Sequence, residues 1–324
     1  MNTVNRKENK KENPIAAILN HYPILILDGA MATELERYGS NLDDSLWSAR
    51  VLLEQPELIS KVHEAYFRAG ADCAITASYQ ATVEGFAAKG ISEQEALALI
   101  QLTVELASKA RDTVWAEVDQ MTRPKPIVAG SVGAYGAFLA DGSEYTGNYG
   151  VDDRRLRDFH RPRIQALIEA GADLLAFETI PSLQEAKVLA ELLADEFPDA
   201  YAWMSFSLQN GERISEGTLL RECAQTLEPY TQIAAIGVNC APASFAAQAI
   251  ETLASETDKP LLIYPNSGET YDAKTKTWQA GESQTCGSFA ESAEIWHRAG
   301  AKVIGGCCRT TPEQIAQISK AWRK

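Results

Sequence analysis

Cys240 closes the run Gly237-Val238-Asn239-Cys240, and Cys307 and Cys308 sit in Gly305-Gly306-Cys307-Cys308-Arg309-Thr310. Each run ends a short apolar stretch and leads into a helix-like pattern. Three thiolates without a fourth protein ligand meet the needs of a catalytic zinc site, whose open position takes a substrate. Zinc fingers and ribbons pair their ligands as C-x-x-C, a spacing this set lacks. The competing reading is a vicinal or long-range disulfide, which a reducing compartment disfavours. Adjacent side chains on a regular strand point to opposite faces, so Cys307 and Cys308 can share one metal only where the strand breaks. Gly305 and Gly306 are expected to supply that break, through unusual backbone angles and close approach. Thr311 then reads as a helix N-cap with Pro312 at the first helical position. Cys73 and Cys223 read as small buried hydrophobes, and Cys286 as incidental in a polar loop.

The elements that must hold these groups follow from the hydrophobic pattern. Eight short runs are apolar nearly throughout: 24–27, 73–76, 127–129, 173–177, 202–206, 235–238, 261–264 and 302–304. Continuous apolarity is what parallel strands covered on both faces require. Helix-period segments separate them, at 56–69, 92–118, 153–170, 182–195, 217–228, 242–255, 287–299 and 312–322. Ala69-Gly70-Ala71, Ala170-Gly171-Ala172 and Ala299-Gly300-Ala301 repeat one junction: helix stop, glycine cap, strand start. Eight βα units in a single stretch predict an α/β fold of one (β/α)8 TIM barrel, with a doubly wound open sheet as the alternative. In a barrel, Asp28, Glu178, Cys240, Cys307 and Cys308 all fall at C-terminal strand ends, where barrel active sites lie. Loops around 29–55, 131–152 and 265–286 would wall the same face. His63 and His297, within helical patterns, and His160, near a helix start, read as core or surface residues rather than metal ligands.

Bulk properties narrow the function. The 324 residues carry a net charge of −14, which excludes the basic footprint of a nucleic-acid binder. Residues 1–13 are charged and polar, read here as a disordered extension without the apolar core of a signal peptide. The barrel is expected over 14–324 as one domain. No run reaches the 18 or so apolar residues of a membrane span, so no membrane partner is expected, and a cytoplasmic location follows.

At this point the motifs resemble a family. The two cysteine runs, together with Leu27-Asp28-Gly29-Ala30-Met31-Ala32-Thr33-Glu34-Leu35, Thr76-Ala77-Ser78-Tyr79-Gln80-Ala81-Thr82 and Phe177-Glu178-Thr179, resemble the homocysteine S-methyltransferases over residues 20–322. The segment Gly133–Tyr145 looks like the branch that uses S-methylmethionine, whereas Tyr79-Gln80 departs from the betaine-using pattern. The resemblance implies a (β/α)8 enzyme in which Cys240, Cys307 and Cys308 hold Zn²⁺ and the sulfur of L-homocysteine takes the fourth position. It further implies methyl transfer from S-methyl-L-methionine, or S-adenosylmethionine, to give methionine. Asp28 and Glu178 would then recognise the homocysteine α-ammonium group. Gly29 could offer its backbone N–H to the α-carboxylate, and Asn239 stands ready to orient substrate or brace the neighbouring ligand. Tyr135, Phe138 and Tyr145 could meet a sulfonium by cation–π contact, with 131–152 as the loop that closes over the donor. Selenocysteine is an alternative acceptor. A reading of another class is a non-catalytic zinc protein or thiol redox sensor.

Overall fold

A computed structural model describes residues 12–40, 47–268, 270–272, 277–279 and 288–323. Residues 1–11, Cys286 and most of the loop expected over 265–286 lie outside the described residues. The eight apolar runs form eight strands. They are β1 (Leu25–Ile26), β2 (Cys73–Ile75), β3 (Ile127–Gly133), β4 (Leu174–Ile180), β5 (Ala202–Phe206), β6 (Ile233–Asn239), β7 (Leu261–Tyr264) and β8 (Ala301–Ile304). Each is parallel to its neighbours in one sheet that runs β1-β8-β7-β6-β5-β4-β3-β2. A parallel bridge between Leu27 and Cys73 joins the two ends, and the Asp28 N–H donates to the Cys73 carbonyl at 3.0 Å. That closure makes the sheet a TIM barrel and removes the edges an open sheet would expose.

The strands are apolar on both faces along most of their length because each face has its own core. Along β1, Leu25 and Leu27 point inward with Cys73, Ala129, Trp203 and Val303, whereas Ile24 and Ile26 pack outward under the helices. The indole N–H of Trp203 is satisfied inside the barrel by the Tyr264 hydroxyl at 3.1 Å. Ile15 and Ile18 of the helix Pro14–Leu19 join this inner cluster and plug the N-terminal mouth. Asn13 caps that helix, its side chain accepting from the Ile15 N–H at 3.0 Å, so this residue belongs with the barrel domain rather than with the extension expected over 1–13.

The outer helices follow the 3.6-residue pattern closely: Pro56–Ala69, Glu93–Trp115, Asp153–Glu169, Leu183–Glu196, Leu220–Leu227, Ala243–Ala254, Phe289–Ala299 and Pro312–Trp322. Gly70, at φ 102°, shows why the repeated junction needs glycine, because a Cβ there would lie 2.1 Å from the Ser319 hydroxyl. Four short helices at the C-terminal mouth, Met31–Arg37, Trp47–Glu54, Val83–Ala87 and Tyr135–Leu139, escaped the sequence pattern. Two of these span 5 residues each, too few for a 3.6-residue period to declare itself. His160 sits in the middle of its helix and is fully buried, not near the helix start.

Candidate active site and metal centre

β6 and β8 deliver the cysteines to the C-terminal mouth. Cys240 follows β6 immediately and adopts φ 49°, a left-handed conformation that turns its thiol over the barrel end. After β8 the chain is pulled inward by backbone bonds: Gly305 N–H to Ile263 O at 3.0 Å, Gly306 N–H to Asp28 O at 3.1 Å, and Cys307 N–H to Pro265 O at 2.8 Å. Neither glycine takes positive φ. The left-handed residue of this turn is Arg309, at φ 67°. The glycines serve close approach instead, because a Cβ on Gly305 would sit 2.5 Å from the Leu27 side chain and one on Gly306 2.3 Å from the Thr310 hydroxyl. Thr310 donates to the Cys307 carbonyl at 2.6 Å, and Thr311 begins the last helix with Pro312 next, as expected.

The result is a sulfur triangle. Cys240 and Cys308 are 3.7 Å apart at Sγ, Cys307 and Cys308 are 3.9 Å apart, and all three sulfurs lie within 4.8 Å of one another. A tetrahedral centre with metal–sulfur bonds of about 2.3 Å needs sulfurs about 3.8 Å apart, so the set fits a metal. Disulfides require about 2.05 Å, and these sulfurs stand as free thiols. Among the three, Cys240 is the one whose pKa is held low. The Cys307 and Cys308 thiols hydrogen-bond to it, and so does the Tyr145 hydroxyl, 3.2 Å away.

A cavity of about 340 Å³ opens beside the sulfurs, lined by Asp28 and Glu178 together with Cys240, Cys307, Cys308 and Tyr145. Asp28 is 3% exposed and accepts from the Ile75 N–H at 2.9 Å. Burial pushes its carboxyl well up, against that hydrogen bond, and repulsion from Glu178 adds to the rise. Glu178, 7% exposed, accepts from the Ser131 hydroxyl and, at 3.2 Å, from the Tyr264 hydroxyl. Burial raises its pKa to about 7. Two buried carboxylates lining one cavity suit a cation that neutralises both.

The strand that carries Glu178 is bent to present it. The β4–β5 register shifts between Phe177 and Ile180, and Thr179 takes φ 58°. Asn239 holds that kink: its side-chain oxygen accepts from the Thr179 N–H and the Ser205 hydroxyl, both at 2.8 Å, and its amide donates to the Thr179 hydroxyl at 2.8 Å. Asn239 thus braces the barrel mouth between Glu178 and Cys240 while still lining the cavity. Gly29 lines it too, and a Cβ there would meet the Thr310 hydroxyl at 2.7 Å and the Tyr66 ring at 2.9 Å.

The aromatic residues divide. Tyr145 lines the cavity, and Tyr135 and Phe138 turn away into a cluster with Tyr149 and Phe159. Sequence reading missed Ser131 and Tyr264, which hold Glu178, and gave Tyr79 no role although it lines the cavity. Tyr264 ends an apolar strand run, the same position that singled out the cysteines, and that signal could have found it.

The family described as homocysteine S-methyltransferase matches residues 25–322. The chain belongs to the homocysteine S-methyltransferase family. Homocysteine S-methyltransferase YbgG of Bacillus subtilis (strain 168) is 58% identical over 313 residues, spanning 96% of this chain and 98% of that protein. The homocysteine S-methyltransferase of Escherichia coli (strain K12) is 53% identical over 308 residues, 95% of this chain and 98% of its own. Among solved structures, the metallated form of the homocysteine methyltransferase MmuM from Escherichia coli superposes with a TM-score of 0.86 at 50% identity, covering 95% of this chain and all of that one. Family membership makes this barrel a methyltransferase that handles small molecules. Among the described residues no helix is long and apolar enough to cross a membrane.

Proposed function

We propose that this enzyme transfers a methyl group from S-methyl-L-methionine to L-homocysteine, giving methionine, in the cytoplasm, with Zn²⁺ held by Cys240, Cys307 and Cys308. The observation that carries the reading is the sulfur triangle of metal-binding dimensions lining the same cavity as two buried carboxylates. Zinc bound there supplies the positive charge that lowers the pKa of a fourth thiol, so homocysteine can react as a nucleophile at neutral pH.

The chain's own residues account for the rest. Asp28 and Glu178 take the α-ammonium group and fix the acceptor's far end. Gly29 offers its backbone to the α-carboxylate. Asn239 keeps the β4 and β6 ends in register, so the carboxylates and sulfurs stay at a fixed separation. Tyr145, over Cys240, forms the wall on the donor side. In the transfer, the donor's sulfur–methyl bond breaks and its electron pair stays on the donor sulfur, while a homocysteine sulfur lone pair forms the new bond. A cationic donor and an anionic nucleophile neutralise each other along the way, and a cavity poor in water strengthens that attraction. Holding both reactants in line supplies up to about 7–11 kcal/mol in favourable systems.

S-methylmethionine is preferred as donor because the Gly133–Tyr145 segment carries that branch's pattern. The test is zinc stoichiometry on protein purified under reducing conditions. Alongside it, methionine formation is assayed with S-methylmethionine, S-adenosylmethionine and betaine in parallel, and with selenocysteine as a second acceptor. Near-stoichiometric zinc without turnover by any donor would reject the transferase reading. Cys240→Ser should lose zinc and activity together while far-ultraviolet circular dichroism is unchanged, and retained activity would remove Cys240 from the site.

A further inference from the structure

We propose that Glu185, His160 and Arg163 form a buried positioning device that sets where Tyr79 and Tyr145 stand over the cavity, and thereby governs capture of the methyl donor. The inference rests on the donor side of the function proposed above. Glu185 and His160 are 0% exposed and Arg163 is 1% exposed, on the helices Leu183–Glu196 and Asp153–Glu169 behind the mouth. None of the three is among the described residues that line the cavity. Packing alone does not call for them, since ionisable groups are costly to bury and apolar residues would fill the space.

Their hydrogen bonds run toward the mouth. One Glu185 oxygen accepts from the Tyr135 backbone N–H at 2.6 Å, and the other from the Tyr149 hydroxyl at 3.1 Å. Those two residues bracket the stretch that carries Tyr145, so a single carboxylate grips it at both ends. Arg163 donates to the Tyr79 carbonyl at 3.0 Å and to the Gly133 carbonyl at 2.6 Å. It therefore ties the loop after β2 to the end of β3, and a Cβ on Gly133 would lie only 2.4 Å from the Tyr79 carbonyl.

His160 couples the two grips. A guanidinium can only donate, so the 3.1 Å contact from Arg163 makes Nδ1 of His160 an acceptor. Nε2 then carries the proton that His160 donates to Glu185 at 2.8 Å. A neutral imidazole thus bridges the buried Glu185 and Arg163 side chains, and one unit locates both tyrosines that line the cavity. Asp28 and Glu178, the acceptor side, draw no hydrogen bond from the unit.

The experiment compares Glu185→Gln and Tyr149→Phe with the parent, both as metal-loaded enzyme. Donor KM should rise roughly tenfold in Glu185→Gln, and by less in Tyr149→Phe, which loses one of the two grips. Zinc content and homocysteine affinity by calorimetry should stay at parent values. Independently of turnover, hydrogen exchange of residues 135–149 should accelerate in Tyr149→Phe while the β6 and β8 segments keep parent rates. The proposal is overturned if donor KM is unchanged in a folded Tyr149→Phe, if donor and homocysteine affinities fall together, or if exchange is unaltered. Should Glu185→Gln not fold, Tyr149→Phe decides alone. A parent enzyme inactive with every sulfonium would reject the proposed function instead, leaving the exchange comparison to judge the positioning.

Discussion

The Tyr145 hydroxyl lies 3.2 Å from the Sγ of Cys240, joining a short turn after β3 to the sulfur cluster at the end of β6. Without metal, that hydroxyl and the two other thiols stabilise a thiolate on Cys240. A hydrogen bond to a charged group contributes about 1.5–3 kcal/mol, and 1.36 kcal/mol corresponds to one pKa unit. Tyr145→Phe should therefore raise the apparent pKa of Cys240 alkylation in metal-free protein. Zinc should still bind at one equivalent. The pH dependence of iodoacetamide labelling reads the shift directly.

Glu178 ties substrate affinity to pH. Its carboxyl, buried and raised to about 7, is protonated at pH 6, when it cannot pair with an ammonium group. Homocysteine KM should fall as pH rises through 7, and Glu178→Gln should flatten that profile with KM high throughout.

The same group has a stability signature. The unfolded chain releases this proton near 4.5, whereas the folded chain keeps it to about 7, so the folded state binds more protons across that window. Stability of the metal-free protein then falls as pH rises from 4.5 to 7, by at most about 3 kcal/mol from this residue. Thermal melts at pH 5 and pH 8 should show a smaller drop for Glu178→Gln than for the parent.

His63 acts in the opposite sense. It is fully buried on the helix Pro56–Ala69, neither ring nitrogen has a hydrogen-bond partner among the described residues, and burial lowers its pKa to about 4. The unfolded chain takes up a proton near 6.5 and the folded chain resists until about 4, so stability is lost as pH falls through that interval. The loss is on the order of 3 kcal/mol by pH 4. His63→Leu should remove this dependence in urea titrations at pH 4 and pH 7, whatever packing change it brings at neutral pH.

Gly306 tests the route by which the last strand delivers its sulfurs. A Cβ there would press on Thr310, whose hydroxyl holds the Cys307 carbonyl. Overpacking of this kind costs about 1–3 kcal/mol. Because the displaced group anchors the ligand turn, Gly306→Ala should weaken zinc binding in a chelator competition by roughly tenfold or more. Far-ultraviolet circular dichroism should stay that of the parent.

Much of this molecule is written in local order. Apolar runs covered on both faces, the glycine caps at Gly70, Gly171 and Gly300, and helices at a 3.6-residue period specify eight βα units, because each signal acts within a few residues of itself. The thiols at strand ends, with Asp28 and Glu178, were legible for the same reason: a parallel barrel sends every strand's C-terminus to one face. Family motifs extended that reading to the reaction. What the sequence could not settle was which side chains turn toward one another across the mouth. The left-handed backbone falls at Cys240, Thr179 and Arg309 rather than at the glycines beside the cysteines. Tyr145 faces the sulfurs while Tyr135, ten residues earlier, is claimed by Phe159 and Glu185. Those choices depend on hydrogen bonds between groups far apart in the chain, such as Asn239 to Thr179 and Arg163 to Tyr79, and such bonds exist only once the barrel has closed.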